Sequence, residues 1–168
     1  MQLVYIGLGS NLGDPVTQLQ QATAAIASLP ASRLHRCSSI YGSAPLGPPD
    51  QPRFVNAVVA LYTGLTPLAL LDALQDIENR QGRVRQGQRW GPRTLDLDIL
   101  LFGDLLIDQP RLQVPHYHMQ QRPFVLLPLA EICPPGLQLA DGRKLQQLLA
   151  ECPADPTLKR LENQSLLA

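Results

Sequence analysis

The sequence predicts one globular domain of mixed strands and helices, and three observations carry that reading. A chain of 168 residues is long enough for one well-buried core and short for two. Apolar residues make up 45% of it and charged residues 17%, so there is ample material for a core. Short apolar or alternating runs also recur between segments with helical spacing, and two of those segments open with a capping residue followed by proline.

Leu3 to Leu8 is a short apolar run that reads as a buried strand. Gly7-Leu8-Gly9-Ser10-Asn11-Leu12-Gly13 then reads as a turn. Its glycines do not fit a dinucleotide fingerprint, because the third comes one residue late and no acid follows at the ribose-binding distance. Asp14-Pro15 starts a helix, with Asp14 as N-cap, and Val16, Leu19, Thr23, Ile26 and Leu29 keep a helical stripe up to Pro30. Ser32 to Tyr41 reads as a second strand. Gly42 to Pro52 is too rich in proline for ladder hydrogen bonds and reads as a rigid loop, either a ligand-recognition loop or a surface connection. Phe54 to Thr63 alternates as a strand. Phe54, Asn56, Val58, Ala60 and Tyr62 share one face; Val55, Ala57, Val59 and Leu61 share the other. An aromatic beside a carboxamide suits a flat heterocycle, by stacking and edge hydrogen bonds, although a strand-end Phe also serves a core.

Thr66-Pro67 opens a second helix, whose apolar side is Leu70, Leu71, Leu74 and Ile77. Gln75 and Glu78, three apart, share a face. Gly82 ends it. Arg83 to Pro92 has only Val84 and Trp90 to pack, so a loop that moves when empty and closes over a polyanion is expected. Gly103-Asp104 reads as a turn, Leu105 to Ile107 as a short partner strand and Arg111 to Val114 as an extended piece. Pro123 opens a helix through Phe124, Leu127 and Ile132; Lys144 to Glu151 forms a last short helix. From Pro153 onward a peripheral tail is expected.

The chemistry concentrates in Arg89 to Leu101. Alternation from Thr94 puts Asp96 and Asp98 on one sheet face and Leu95, Leu97 and Ile99 on the other. Two acids on such a strand are costly unless a cation sits between them, and Mg2+ takes one or two carboxylates together with substrate phosphates. Arg89 and Arg93 supply forks for phosphate. A solvated face is the plainer alternative, and the arginine-rich turn weighs against it. His116 and His118 are two apart with no third histidine near. Phosphate contact or a buried, satisfied histidine therefore fits better than zinc.

A formal net charge of zero argues against a broad nucleic-acid surface, although five arginines and no acid lie between Arg80 and Arg93. Cys37, Cys133 and Cys152 match neither a zinc spacing nor a disulfide framework and read as reduced thiols. No signal peptide or membrane span is read, so a cytoplasmic protein is expected.

Arg-Trp-Gly-Pro-Arg-Thr-Leu-Asp-Leu-Asp-Ile-Leu, from Arg89, closely resembles the signature of the 6-hydroxymethyl-7,8-dihydropterin pyrophosphokinases of folate biosynthesis. Gly9-Ser10-Asn11-Leu12, Pro45-Leu46-Gly47-Pro48, Asp50-Gln51-Pro52, Phe54-Val55-Asn56-Ala57, Glu78, Gln81-Gly82-Arg83-Val84-Arg85 and Val114-Pro115-His116-Tyr117 follow in the family's order, covering the chain to about Pro134. The resemblance implies an α+β fold, ferredoxin-like at its centre, with helices around a mainly antiparallel sheet. The domain would span residues 1–168, with 153–168 as the peripheral tail. It implies pyrophosphoryl transfer from ATP, the co-substrate, to the pterin hydroxymethyl oxygen, with AMP released by a monomer. Asp96 and Asp98 would hold two Mg2+ ions, and Arg83 and Arg93 would stabilise the transferring charge. Gln75, Glu78, Arg85, Trp90, Arg111, His116 and Tyr117 match ATP-site positions. Ser43, Ala44, Leu46, Phe54, Asn56, Trp90 and Phe124 match the pterin site. Two positions depart mildly: many relatives carry Tyr at Phe54, and Thr-Pro is common where this chain has Ser43-Ala44.

Overall fold

A computed structural model of the chain describes residues 1–11, 13–43, 53–81 and 95–167. Its centre is a strand–helix–strand–strand–helix–strand unit: β1 (Gln2–Ser10), α1 (Pro15–Ala27), β2 (Ser32–Cys37), β4 (Phe54–Thr63), α2 (Pro67–Arg80) and β5 (Asp96–Phe102). A three-residue strand, β3 (Tyr41–Ser43), precedes β4. The sheet runs β5-β1-β4, and β2 and β3 follow one another along the far edge of β4, all antiparallel. Order β5-β1-β4-β2 with two helices is the ferredoxin-like arrangement.

Both central helices start as their sequences predict. The Asp14 side chain accepts from Thr17 N–H, the Thr66 side chain accepts from Ala69 N–H, and a proline follows each cap. The helices pack on one face of the sheet. There Leu19, Ile26, Leu70 and Leu74 meet Val55, Ala57, Val59 and Leu61 of β4. The other face carries α3 (Pro123–Ile132) and α4 (Leu145–Glu151), where Leu126, Leu129 and Leu148 cover Val58, Ala60 and Leu100. The period-2 reading of β4 thus separates two cores, one on each side of the sheet.

Three expectations are corrected. The first strand does not end at Leu8; it continues through Gly9 to Ser10, because both neighbours, β4 and β5, keep pairing with it. Ser32 to Tyr41 is two strands. Between them Ser38 N–H still reaches Val58 C=O at 2.9 Å, but Ser38 Oγ accepts from Val58 N–H at 2.9 Å and a Glu131 carboxylate takes the Ser39 N–H at 3.0 Å, so side chains take over part of the ladder. Leu105 to Ile107 is not a partner of the preceding strand. The hairpin forms one step later, as β6 (Ile107–Gln109) against β7 (Leu112–Val114), after a turn at Gly103 with φ of 52°.

The end of the chain lies along the sheet edge. Strand β8 (Lys159–Arg160) pairs with β3, and Leu166 beyond it is buried in the first core. Gly82, expected to end α2, lies outside the described residues; the helix runs to Arg80 with Gln81 as its cap.

Candidate active site

The α3 side of the sheet holds a cavity of about 540 Å³. Its floor is β1, where Gly7 and Gly9 face outward and leave backbone where side chains would stand. Gly9 pairs with Asn56 on one side and Asp96 on the other, and Gly7 lies opposite Asp98. The carboxamide and the two carboxylates are thus held apart by one bare strand. A β-carbon on Gly9 would come within 2.7 Å of Asn56 Oδ1, so that position excludes even alanine without moving the amide.

At one end of the cavity, alternation along β5 turns Asp96 and Asp98 inward while Leu95, Leu97 and Ile99 enter the first core. Glu78 reaches from α2 beneath this strand. Its carboxylate, only 6% exposed, accepts from Leu97 N–H at 2.9 Å and pins the backbone between the aspartates. His116 is held by its own N–H to Leu100 C=O at 3.0 Å, and its Nδ1 accepts from His118 N–H at 3.3 Å. That leaves Nε2 facing Asp98 Oδ1 at 3.9 Å. Burial holds this imidazole below its ordinary pKa, against the pull of the Asp98 carboxylate, and the Arg122 guanidinium acts in the same direction as burial. It is therefore neutral at neutral pH, and 3.9 Å to Asp98 is not an ion pair.

At the other end, Phe54, Asn56, Ser43 and Phe124 line the same space. Ser43 is buried at the end of β3, beside Phe54 in register. Phe54 is 37% exposed, a large aromatic with an open face. Phe124 stands in the first turn of α3, and the Arg122 guanidinium carbon lies 5.9 Å from its ring centre. Two rings and an amide around a slot suit a flat, hydrogen-bonding heterocycle.

The structure therefore brings together Asp96, Asp98, His116, Ser43, Phe54, Asn56 and Phe124. It places Gln75, Arg111 and Tyr117 elsewhere. Arg111 bonds Asp72 at 2.5 Å and Gln75 at 3.4 Å on the outer face of α2, and Tyr117 is exposed with its ring edge against His118. Arg83, Arg85, Trp90, Arg93, Ala44 and Leu46 lie outside the described residues. Gly7 and Gly9 were missed as site residues. The stretch Leu3 to Gly9 could have signalled them, since glycines that alternate on one face of a buried strand mark a close approach of something else.

Fold and cavity together define an α+β domain with a paired-carboxylate end and an aromatic–amide slot on one sheet face. The chain belongs to the 7,8-dihydro-6-hydroxymethylpterin-pyrophosphokinase (HPPK) family, whose profile matches residues 5–134. It is 63% identical over 153 residues to the 2-amino-4-hydroxy-6-hydroxymethyldihydropteridine pyrophosphokinase of Pseudomonas aeruginosa, covering 91% of this chain and 93% of that one. The Haemophilus influenzae protein of the same name is 58% identical over 132 residues, covering 79% and 82%. The crystal structure of wild-type Plasmodium falciparum HPPK-DHPS with pterin and p-hydroxybenzoate superposes with a TM-score of 0.73 at 14% identity. That match covers 98% of this chain and 48% of the solved one, so this chain spans about half its length and the likeness is one of fold.

Proposed function

We propose that this chain transfers the pyrophosphoryl group of ATP to the hydroxymethyl oxygen of 6-hydroxymethyl-7,8-dihydropterin. In that reaction the pterin oxygen bonds to the β-phosphorus, the bond from that phosphorus to the α–β bridging oxygen breaks, and AMP leaves as the hydroxyl proton is lost. The observation that carries this reading is the single cavity that joins Asp96 and Asp98 to the slot of Phe54, Asn56 and Phe124. A family match over residues 5–134 supports it.

Phe54 and Phe124 hold the pterin ring between them, and Asn56 reads its polar edge through one donor and one acceptor. Backbone groups at Ser43, Ala44 and Leu46 complete that edge. Asp96 and Asp98 suit Mg2+: two carboxylates on one strand face, opening on space for phosphates, are the hard oxygen donors such an ion takes alongside a substrate. We assign two ions to them, which when bound would neutralise the phosphates and favour loss of the hydroxyl proton. Neutral His116 donates through Nε2 without adding charge. Arg83 and Arg93 stabilise charge on the transferring group. By their match to the family's positions, Arg85 and Trp90 are assigned to close over the nucleotide, Trp90 also against the pterin, and Gln75, Arg111 and Tyr117 to the ATP side beyond the cavity, with Glu78 acting there through the Leu97 backbone it holds between the aspartates. We assign the chain, residues 1–168, to one domain that works as a cytoplasmic monomer. Among the described residues no helix is long and apolar enough to cross a membrane.

A product assay tests the reading. The protein is mixed with ATP, Mg2+ and the pterin, with controls lacking each. AMP that requires both pterin and Mg2+ is expected. ADP as product, or AMP without pterin, would overturn the assignment.

A further inference from the structure

The wall of the cavity includes a residue from well beyond the matched family region. Asp155 lines it together with Phe54, Asn56 and Phe124, whereas the profile ends at residue 134. The chain reaches this wall as part of a strap. Lys159 and Arg160 pair with Gly42 and Tyr41 of β3, and Leu161 N–H bonds Ile40 C=O at 2.8 Å. Leu161 packs against Gly42, where a β-carbon would meet its Cδ2 at 3.1 Å. Farther on, Ser165 C=O accepts from Gln20 Nε2 at 2.8 Å, and Leu166 is 2% exposed. The strap is thus fixed at two places beyond Asp155, and a turn closed by Leu158 N–H on Asp155 C=O at 3.1 Å joins Asp155 to the strand that pairs with β3.

The carboxylate itself is oriented. Asp155 Oδ1 accepts from Thr157 N–H at 2.9 Å and from Thr157 Oγ1 at 2.6 Å. These bonds occupy one oxygen and leave Oδ2 without a hydrogen-bond donor among the described residues. A dihydropterin ring carries several N–H donors around its edge, and a carboxylate is an acceptor only. We propose that Asp155 is a substrate-positioning residue that accepts, through Oδ2, a hydrogen bond from a ring N–H of the pterin, so that the C-terminal strap is part of the substrate site. This rests on the pterin reading above.

Two variants separate this role from a structural one. In Asp155→Asn the amide oxygen still accepts both Thr157 donors, so the turn is kept, but an NH2 donor replaces the acceptor Oδ2. Asp155→Ala removes both functions. AMP formation is measured with pterin varied at saturating ATP and with ATP varied at saturating pterin, and thermal melting is recorded. The expected result is a rise of about tenfold in the pterin KM of both variants. The KM for ATP should stay within about twofold, and Asp155→Asn should melt with the wild type. A wild-type pterin KM in Asp155→Asn would overturn this proposal alone. Pterin and ATP parameters that fall together with the melting temperature would also overturn it, leaving Asp155 as a turn residue. Wild-type AMP formation indifferent to pterin would overturn the substrate reading, and this one with it.

Discussion

A methyl group is the smallest change that separates the slot from the rest of the molecule. Gly9→Ala places a carbon 2.7 Å from Asn56 Oδ1 and forces the amide to turn away. Its expected effect is a pterin KM raised about tenfold, since the edge reader is displaced, with ATP binding little changed. Equilibrium titration of each ligand checks it; equal loss of both would mean that the whole strand has shifted. Asp96→Ala or Asp98→Ala acts at the other end of the cavity. Neither side chain enters a core, so the variants should melt close to wild type. Loss of several kcal/mol of charge stabilisation should cut AMP formation about a thousandfold. Retention of near-normal rates would show that these carboxylates do not carry the metal.

The elements respond to different physics. Asp14 caps α1 by accepting from Thr17 N–H and, at 2.7 Å, from Thr17 Oγ1, and these bonds hold its carboxyl below the ordinary aspartate pKa. A lowered folded pKa means that the unfolded chain binds the proton more readily. The cap's stabilisation is thus complete above the ordinary value of about 4 and is lost as pH falls through the folded one. Melting temperatures of wild type and Asp14→Ala should differ by a constant amount near neutrality and converge in acid. A gap that persists at the lowest pH would mean that Asp14 acts other than as a charged cap. Both caps were legible because side chain and proline adjoin in sequence, as was β4 because its period of two extends over ten residues. The break between β2 and β3 was not legible. It depends on Glu131, about 90 residues away, and local propensity holds no trace of such a contact. The hairpin was assigned to the turn at Gly103-Asp104 rather than to the one at Pro110-Arg111, seven residues on, because both are two-residue turns flanked by short apolar runs. The aspartate pair and Phe54 with Asn56 were readable from spacing, whereas Asp155 sits in a segment without periodicity and is found only through β3.

At the scale of the molecule, the sheet divides stability from substrate binding. Leu70 and Leu126 are both fully buried, one under each face. Truncating either to alanine should cost roughly 2–5 kcal/mol, a large part of the 5–15 kcal/mol typical of a domain. The faces then differ. Leu126→Ala loosens the helix that carries Phe124 and should raise the pterin KM as well, whereas Leu70→Ala should leave it within about twofold. Parallel melting and kinetics test this, and identical behaviour would mean that the cores are not mechanically separate. The strap has a second consequence, unrelated to the substrate. An open sheet presents two raw margins, each a template on which another chain could build a strand. Here β3 is sheathed by a strand of two residues, Lys159 and Arg160, so the margin ends in positive charge. On the opposite margin, the backbone of His116 already occupies Leu100 C=O and the Glu78 side chain occupies Leu97 N–H. Among the described residues β2 pairs only with β4, so its outer side, which carries Arg33 and Arg36, is the stretch of margin left for another strand to build on.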